Sequence, residues 1–213
     1  MVATMSRRAA PYHHGDLAKA LLTEAARVVE TEGVPALTLR ELARRLGVSH
    51  AAPAHYFPDK AALLAELAAE GFEELADELE SGERRGRTPL ARLRETGRGY
   101  VRFAIRKPGH YRVMFGPGAG DSTRPPRLVE AGTRAIEALR RVVVAALPPA
   151  RARSPERVRD AAFLAWSSVH GAAMLILDGP VAPHFVAAPD DPAVRALVDR
   201  MTATVADTIA DEE

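Results

Sequence analysis

Apolar residues recur at intervals of three and four along almost the whole chain, and no other property of the sequence restricts the fold so tightly. Leu17, Leu21, Ala25 and Val28 share one face of a helix expected from about Asp16 to Glu32. Leu64, Leu67, Leu75 and Leu79 do the same on a long helix that runs to about Glu80. Leu90, Leu93, Gly97, Tyr100, Val101 and Ala104 follow Pro89, and Pro108-Gly109 ends that helix. Further helices are expected at about 127–147, 155–178 and 191–210, with a polar loop over 81–88 and a Gly/Pro-rich loop up to Pro126. Runs of β-branched residues are scarce and no alternating strand pattern competes. The expectation is an all-α protein of about nine helices.

Composition narrows the class. The chain has 213 residues, of which 47% are hydrophobic and 27% charged, a globular balance suited to one ordinary domain or two small ones. It has no cysteine, which excludes disulfides, thiolate zinc sites and thiol catalysis. No apolar run reaches the roughly 20 residues of a membrane helix, and the first ten residues lack the apolar core of a secretory signal. A soluble, cytoplasmic chain with no membrane partner is the expectation. Net charge is only +1, but it is distributed in blocks: +2 over residues 1–60, −5 over 61–87, +6 over 88–120 and −2 over 121–213. The first block also holds four of the seven histidines, so the N-terminal third has cations for a small nucleic-acid footprint.

Within that third the punctuation is dense. Gly33 suits the left-handed residue that ends a helix. Thr38-Leu39-Arg40-Glu41 reads as a capping box in which Thr38 and Glu41 satisfy exposed amides reciprocally. Leu39, Leu42, Ala43 and Leu46 give the following helix a core face, and Gly47 interrupts it. Ser49 is placed to cap a third helix over about His50 to Tyr56, which Pro53 tolerates near its first turn. Asp59 would cap the long helix after it. Residues 1–60 therefore read as a three-helix unit and residues 61–213 as a second, larger domain. Thr38 to Ser49 has the spacing of a helix-turn-helix: one helix crosses the DNA backbone while the next enters the major groove. A plain helical hairpin is the alternative reading of the same residues.

The stretch from Leu17 to Leu64 resembles the DNA-binding domain of the TetR family of bacterial transcription regulators. The signature Thr38 to Ser49, followed by His50-Ala51-Ala52-Pro53-Ala54-His55-Tyr56-Phe57-Pro58-Asp59-Lys60, is similar in register to the second to fourth helices of that family. The resemblance implies an all-helical homodimer that binds a near-palindromic double-stranded operator, most often as a repressor, and answers to a small molecule. It implies phosphate contacts from Thr38, Arg40 and Lys60, and a recognition helix presenting Ser49, His50, Ala51 and His55. One departure stands out. The family commonly has a tyrosine where this chain has Ala54, so that phosphate anchor is lost or passes to Tyr56. Alanine offers a base only apolar contact, such as to a thymine methyl.

The C-terminal half resembles one branch of the family through Trp166-Ser167-Ser168-Val169-His170-Gly171. Phe163, Trp166, His170 and Met174 fall on one helical face, suited to the wall of an apolar cavity. Tyr100, Phe103, Tyr111, Met114 and Phe115 recur around Pro108-Gly109 and complete a candidate site for a small apolar or aromatic effector. Each of these is equally readable as plain core. The small-residue pairs Ser167/Gly171 and Ser168/Ala172, with the stripe Val194, Leu197, Val198, Met201 and Val205, suggest a dimer interface from the last two helices; burial within the monomer is the alternative.

His170 reads either as a ligand-binding base or as a hydrogen-bonded structural histidine beside Trp166. Arg102 and Arg106, one turn apart, could select an anion or face water. Arg7 and Arg8 could form a minor-groove arm or a solvated tail, and His13, His14 and Asp16 make a poor metal site. No P-loop, dinucleotide fingerprint or paired carboxylates occur, so no cofactor, metal or catalytic residue is assigned. The rivals are an architectural DNA binder without ligand control and a small helical hydrolase using His170, His110 or Asp178. The second lacks a nucleophile–base–orienter arrangement.

Overall fold

The structure is a computed structural model and describes residues 14–116, 125–178 and 191–211; of His14, Gly15, Asp16 and Asp178 only the backbone is described. Arg7, Arg8, His13 and most of the expected Gly/Pro-rich loop lie outside the described residues, as do the side chains of His14, Asp16 and Asp178. Among the described residues there are nine α-helices, two 3-10 turns and no strand. They divide into two compact units, one ending at Leu64 and the other beginning at Ala65.

The first unit starts with α1 (His14–Glu32), whose Leu21, Ala25 and Val28 are completely buried. A 3-10 turn (Val34–Ala36) leads to α2 (Leu39–Leu46), which packs on α1 through Leu42 and Ala43. The Glu41 amide donates to Thr38 Oγ1 at 3.1 Å, so the N-cap forms as expected. The reciprocal half of the box does not form. The Glu41 carboxylate accepts instead from Arg44 (2.6 and 2.8 Å) and Arg45 (2.6 Å), because charge-assisted bonds outcompete a neutral amide. Gly47 then adopts φ 67° and ψ 28°, the left-handed geometry in which a side chain would be strained, and the chain turns sharply.

The expected third α-helix is where the structure departs most from the sequence reading. Residues 49–56 form overlapping turns and one 3-10 turn (Pro53–His55) rather than a regular α-helix. Proline is the reason. An α-helix would need the residue 53 amide to donate to the Ser49 carbonyl, and proline has none. The Ser49 carbonyl takes the Ala52 amide at 3.0 Å, and His55 and Tyr56 continue the three-residue spacing. Pro53 and Phe57 are buried and pin the segment to the core.

α3 (Lys60–Arg85) begins with Asp59 Oδ1 accepting from the Ala62 amide at 2.8 Å. It runs well past Glu80, so the loop expected over 81–88 shrinks to residues 86–88. Tertiary packing decides this: a Cβ added at Gly82 would lie 2.6 Å from the Glu95 carbonyl, so glycine lets α3 continue flush against the next helix. That helix, α4 (Pro89–Arg106), is capped by Thr88 and followed by α5 (Pro108–Phe115). α6 (Pro126–Ala146), α7 (Pro149–Ala152), α8 (Pro155–Asp178) and α9 (Pro192–Asp211) complete the second unit.

α4 is its centre, packing on α6, α8 and α9. One cluster joins Leu93 with Val142, Val143, Val158, Ala161, Ala165, Ala206 and Ile209. Another joins Tyr100, Phe103 and Ala104 with Tyr111, Met114, Leu128, Val169, Ala173, Val194 and Val198. These pairings make α4 and α8 run one way and α6 and α9 the other. The acidic block of the sequence lies on α3 and meets arginines seven residues apart on α6: Arg127 with Glu66 and Glu73, Arg134 with Asp77 and Glu80, and Arg141 with Glu83. Residues 155–177 of α8 are long and apolar enough to cross a bilayer, with mean hydropathy 1.3, contrary to the expectation that no segment qualifies. The excess arises because α8 is apolar on its outer side as well as on the side that faces the bundle.

Candidate functional site

Two groups of residues carry the chemistry, one in each unit. In the first, Thr38, Arg40, Ser49, His50, Ala51 and His55 are all exposed and lie on either side of the Gly47 turn. Arg40 has no ion-pair partner among the described residues, so its guanidinium is available to a phosphate. Arg44 and Arg45 are committed elsewhere. Arg45 donates to Glu41 and Glu32 and lies 3.6 Å from Glu24, a net that ties α2 to α1. The same arginines hold the Glu41 carboxyl down to about 2, through their hydrogen bonds first. Tyr56 is half-buried. Lys60 has a role that the sequence reading did not include: its ammonium donates to the Val34 carbonyl at 2.7 Å and serves as a brace within the unit. Its ammonium keeps two further N–H donors, so the brace leaves it able to meet a phosphate.

In the second unit five of the nine proposed effector residues converge. Tyr100 on α4, Tyr111 and Phe115 on α5, and Trp166 and His170 on α8 form one aromatic cluster. Its ring centroids lie 4.7 Å (Phe115–His170) to 6.5 Å (Tyr100–Phe115) apart. Both tyrosine hydroxyls lie 2.8 Å from His170 Nδ1, and the Trp166 indole N–H donates to Tyr100 Oη at 3.4 Å. Burial pushes the Tyr100 phenol up to about 12 and pulls the His170 imidazole below its ordinary value. At neutral pH the cluster is therefore polar but uncharged. Phe103 and Met114 belong to the buried core beneath it.

Phe163 and Met174 do not join them. They are 67% and 40% exposed, although helical spacing does place them on the face of His170. Periodicity defines a face but not the direction in which it points. The bundle instead buries the opposite row, Val158, Ala161, Ala165, Val169, Ala173 and Ile176, whose mostly small side chains let neighbouring helices come close. Trp166 and His170 fall at the border between the two rows.

The expected dimer residues divide similarly. Val194 and Val198 are buried in the unit's own core and are unavailable to a partner. Leu197, Met201 and Val205 are only partly covered, as are Ser168, Gly171 and Ala172, while Ser167 is exposed. A Cβ at Gly171 would meet nothing within 4 Å. Phe163, Ser167, Gly171 and Met174 thus make one outward face with small residues at its middle. The sequence reading missed Val129, Ile136 and Leu175, which are also exposed. The signal was present in α8, whose apolar content exceeds what burial of one side explains.

Arg102 and Arg106 both bind Glu78, at 3.2 and 2.7 Å, which fills the anion role weighed for them. His110 is buried with its Nε2 3.7 Å from Glu70, and no group of three or more His, Asp or Glu within reach of a metal occurs among the described residues.

Comparison with known proteins follows the same division. Residues 21–67 match the family described as bacterial regulatory proteins, tetR family, and residues 93–205 match the one described as tetracyclin repressor-like, C-terminal domain. A solved structure of a protein of unknown function from a Rhodococcus species is 33% identical, with a TM-score of 0.72 and a match over 93% of this chain and 96% of that one. The TetR family transcriptional regulator PfmR from Thermus thermophilus is 21% identical, with a TM-score of 0.64 over 91% of this chain and 99% of its own. The fatty acid degradation regulator FadR from Bacillus halodurans shares the fold at 12% identity, with a TM-score of 0.66 over 89% and 94%. No curated protein matches.

Proposed function

The chain belongs to the TetR family of bacterial regulatory proteins, and from that premise we propose that it is a cytoplasmic repressor that binds a near-palindromic operator as a homodimer and is released by a small, apolar or aromatic effector. It is a transcriptional regulator with a helix-turn-helix unit, not an enzyme. Residues 1–60 act as the reader of DNA and residues 61–213 as the effector and dimerisation domain. The observation that carries the reading is the exposed polar row around the Gly47 turn, Arg40 before it and Ser49, His50 and His55 after it, with Leu42, Ala43, Pro53 and Phe57 buried beneath it.

In this reading Arg40 and Thr38 set the register on phosphates, and Ser49, His50, Ala51 and His55 meet base edges. Two such segments sit about one DNA turn apart in the dimer, roughly 34–36 Å. The outward face of α8, Phe163, Ser167, Gly171 and Met174, with Leu197, Met201 and Val205 of α9, forms the dimer seam. That assignment explains why α8 is apolar on both sides without a membrane. The effector binds at the Tyr100, Tyr111, Phe115, Trp166 and His170 cluster and favours a conformer with a different spacing of the readers. A hundredfold release of DNA requires a coupling of about 2.7 kcal/mol between the two sites.

Selection of bound duplexes from a randomised pool at near-physiological salt tests the proposal. Enrichment of an inverted repeat is the expected result. Binding that is indifferent to sequence and collapses steeply as salt rises would replace it with an architectural role.

A further inference from the structure

Residues 50–55 follow the Gly47 turn, and their side chains are two imidazoles, three alanines and a proline. Every polar side-chain contact from these six residues to DNA therefore falls to His50 and His55. Both are exposed, and neither forms a hydrogen bond or ion pair among the described residues. The titratable groups around them are Tyr56, which follows directly, Arg40, Glu41, Arg44 and Arg45 on α2, and Asp59 and Lys60 where α3 begins. Glu41 is taken up by Arg44 and Arg45, and Asp59 accepts from the Ala62 amide, so neither carboxylate is committed to an imidazole.

Positive charge is scarce where a polyanion has to bind. Residues 17–64 carry six Lys/Arg and five Asp/Glu, a net charge of only +1. Arg27, Arg44 and Arg45 are held by Glu24, Glu41 and Glu32, which leaves Lys19, Arg40 and Lys60 as the permanent cations without a carboxylate among the described residues. Protonation of the two imidazoles takes the same stretch from +1 to +3. Histidine is the side chain whose ordinary charge change falls between about pH 5 and pH 8, and the negative potential of a duplex favours its cationic form. The partners pull the same way. Phosphate oxygens, guanine N7 and O6, adenine N7 and thymine O4 all accept, and an imidazolium donates from both nitrogens where a neutral imidazole donates from one.

We infer that operator binding takes up protons: His50 and His55 meet the duplex as imidazolium ions, so that acid tightens the complex and alkali loosens it. The inference rests on the DNA-reading role proposed above and adds to it a control by pH that acts on the reader itself, with no effector involved.

The inverted-repeat duplex enriched by the selection above is the probe, titrated with the full-length protein. Calorimetry near pH 7 in buffers of different ionisation enthalpy should count about one to three protons taken up per dimer. Affinity should rise about a hundredfold or more from about pH 8 to about pH 6, since one proton per dimer over two pH units already amounts to that. The slope of log K against log salt should steepen by about two to three over the same range, because each imidazolium displaces about 0.9 counterion. His50→Gln with His55→Gln should abolish the uptake and keep the affinity at about pH 8 within about threefold, since glutamine retains a neutral donor and acceptor. His13→Gln with His14→Gln should leave the uptake unchanged, and this second pair keeps the test decisive if the first binds too weakly to titrate. An affinity indifferent to pH, uptake that survives in the His50 and His55 variant, or uptake that disappears with His13 and His14 overturns the inference and leaves operator reading standing. Failure of the selection to enrich any duplex overturns both.

Discussion

Six large apolar side chains stand exposed, Val129, Ile136, Phe163, Trp166, Met174 and Leu175, and all belong to the second unit; among the described residues the first exposes none. The contrast extends to the interiors. The first unit buries aliphatic residues and Phe57, half-buries Arg45, Tyr56 and Lys60, and keeps Thr38, Arg40, Arg44 and Ser49 on the surface. The second carries two tyrosines and a histidine into its interior and leaves a phenylalanine outside. A surface of charges and small polar groups suits a polyanion, whose attraction is lost to salt. A surface of apolar side chains around Ser167 and Gly171 suits another protein surface of the same kind, whose attraction salt does not screen. The two units are thus built for partners of opposite chemistry, and the difference can be tested from either side.

The largest effect should come from charging the apolar surface. Phe163→Glu combined with Met174→Glu should convert a dimer to a monomer in sedimentation at micromolar concentration. Operator affinity should then fall by about a hundredfold or more, because only one reader binds at a time. The helical content should be retained, since both side chains are exposed within their own unit, whereas the melting temperature should fall and lose its dependence on protein concentration. A variant that remains dimeric would move the seam to another face, with Val129 and Ile136 the next to examine.

A smaller and confined effect is expected in the first unit. Thr38→Ala removes the acceptor of the Glu41 amide and should cost about 1 kcal/mol, roughly a fivefold loss of hydrogen-exchange protection in α2. Protection in α8 and α9 should not change. Equal loss in both units would show that they unfold together and that the contrast between them is one of surface only.

The smallest is a pH effect on the second unit. Burial holds His170 below its ordinary value of 6.5, so the unfolded chain takes up a proton more readily than the folded one. The stability contributed by neutral His170 is complete above that value and is lost as pH falls from there towards the folded-state value. Between about pH 7.5 and about pH 5.5 the wild type should lose more melting temperature than His170→Gln. Parallel losses would mean that the imidazole is as easily protonated inside the fold as outside it.

Much of this was legible in the residues. The helix over 155–178 falls where its periodicity predicts, and Thr38, Asp59 and the Gly47 turn do what short-range chemistry asks of them. Tyr100, Tyr111 and Phe115 were foreseeable as a group because they recur on the helices flanking Pro108-Gly109, and Trp166 and His170 because they share one face of the helix over 155–178. Lys60 was not, since its partner is a backbone carbonyl twenty-six residues earlier, which no side-chain pattern records.

The sequence by itself determined most of the helices, the Thr38 and Asp59 caps and the Gly47 turn, because those depend on hydrogen bonds and torsions within a few residues of one another. Tertiary structure decided the rest. It extended α3 through 81–85 because Gly82 fits against Glu95, and it buried Val194 and Val198. On α8, a helix apolar on both sides, it chose the small row for the interior and left Phe163 and Met174 outside. The physical reason is that burial and close approach are set by the shape of neighbouring elements, which the residues of one helix cannot specify alone.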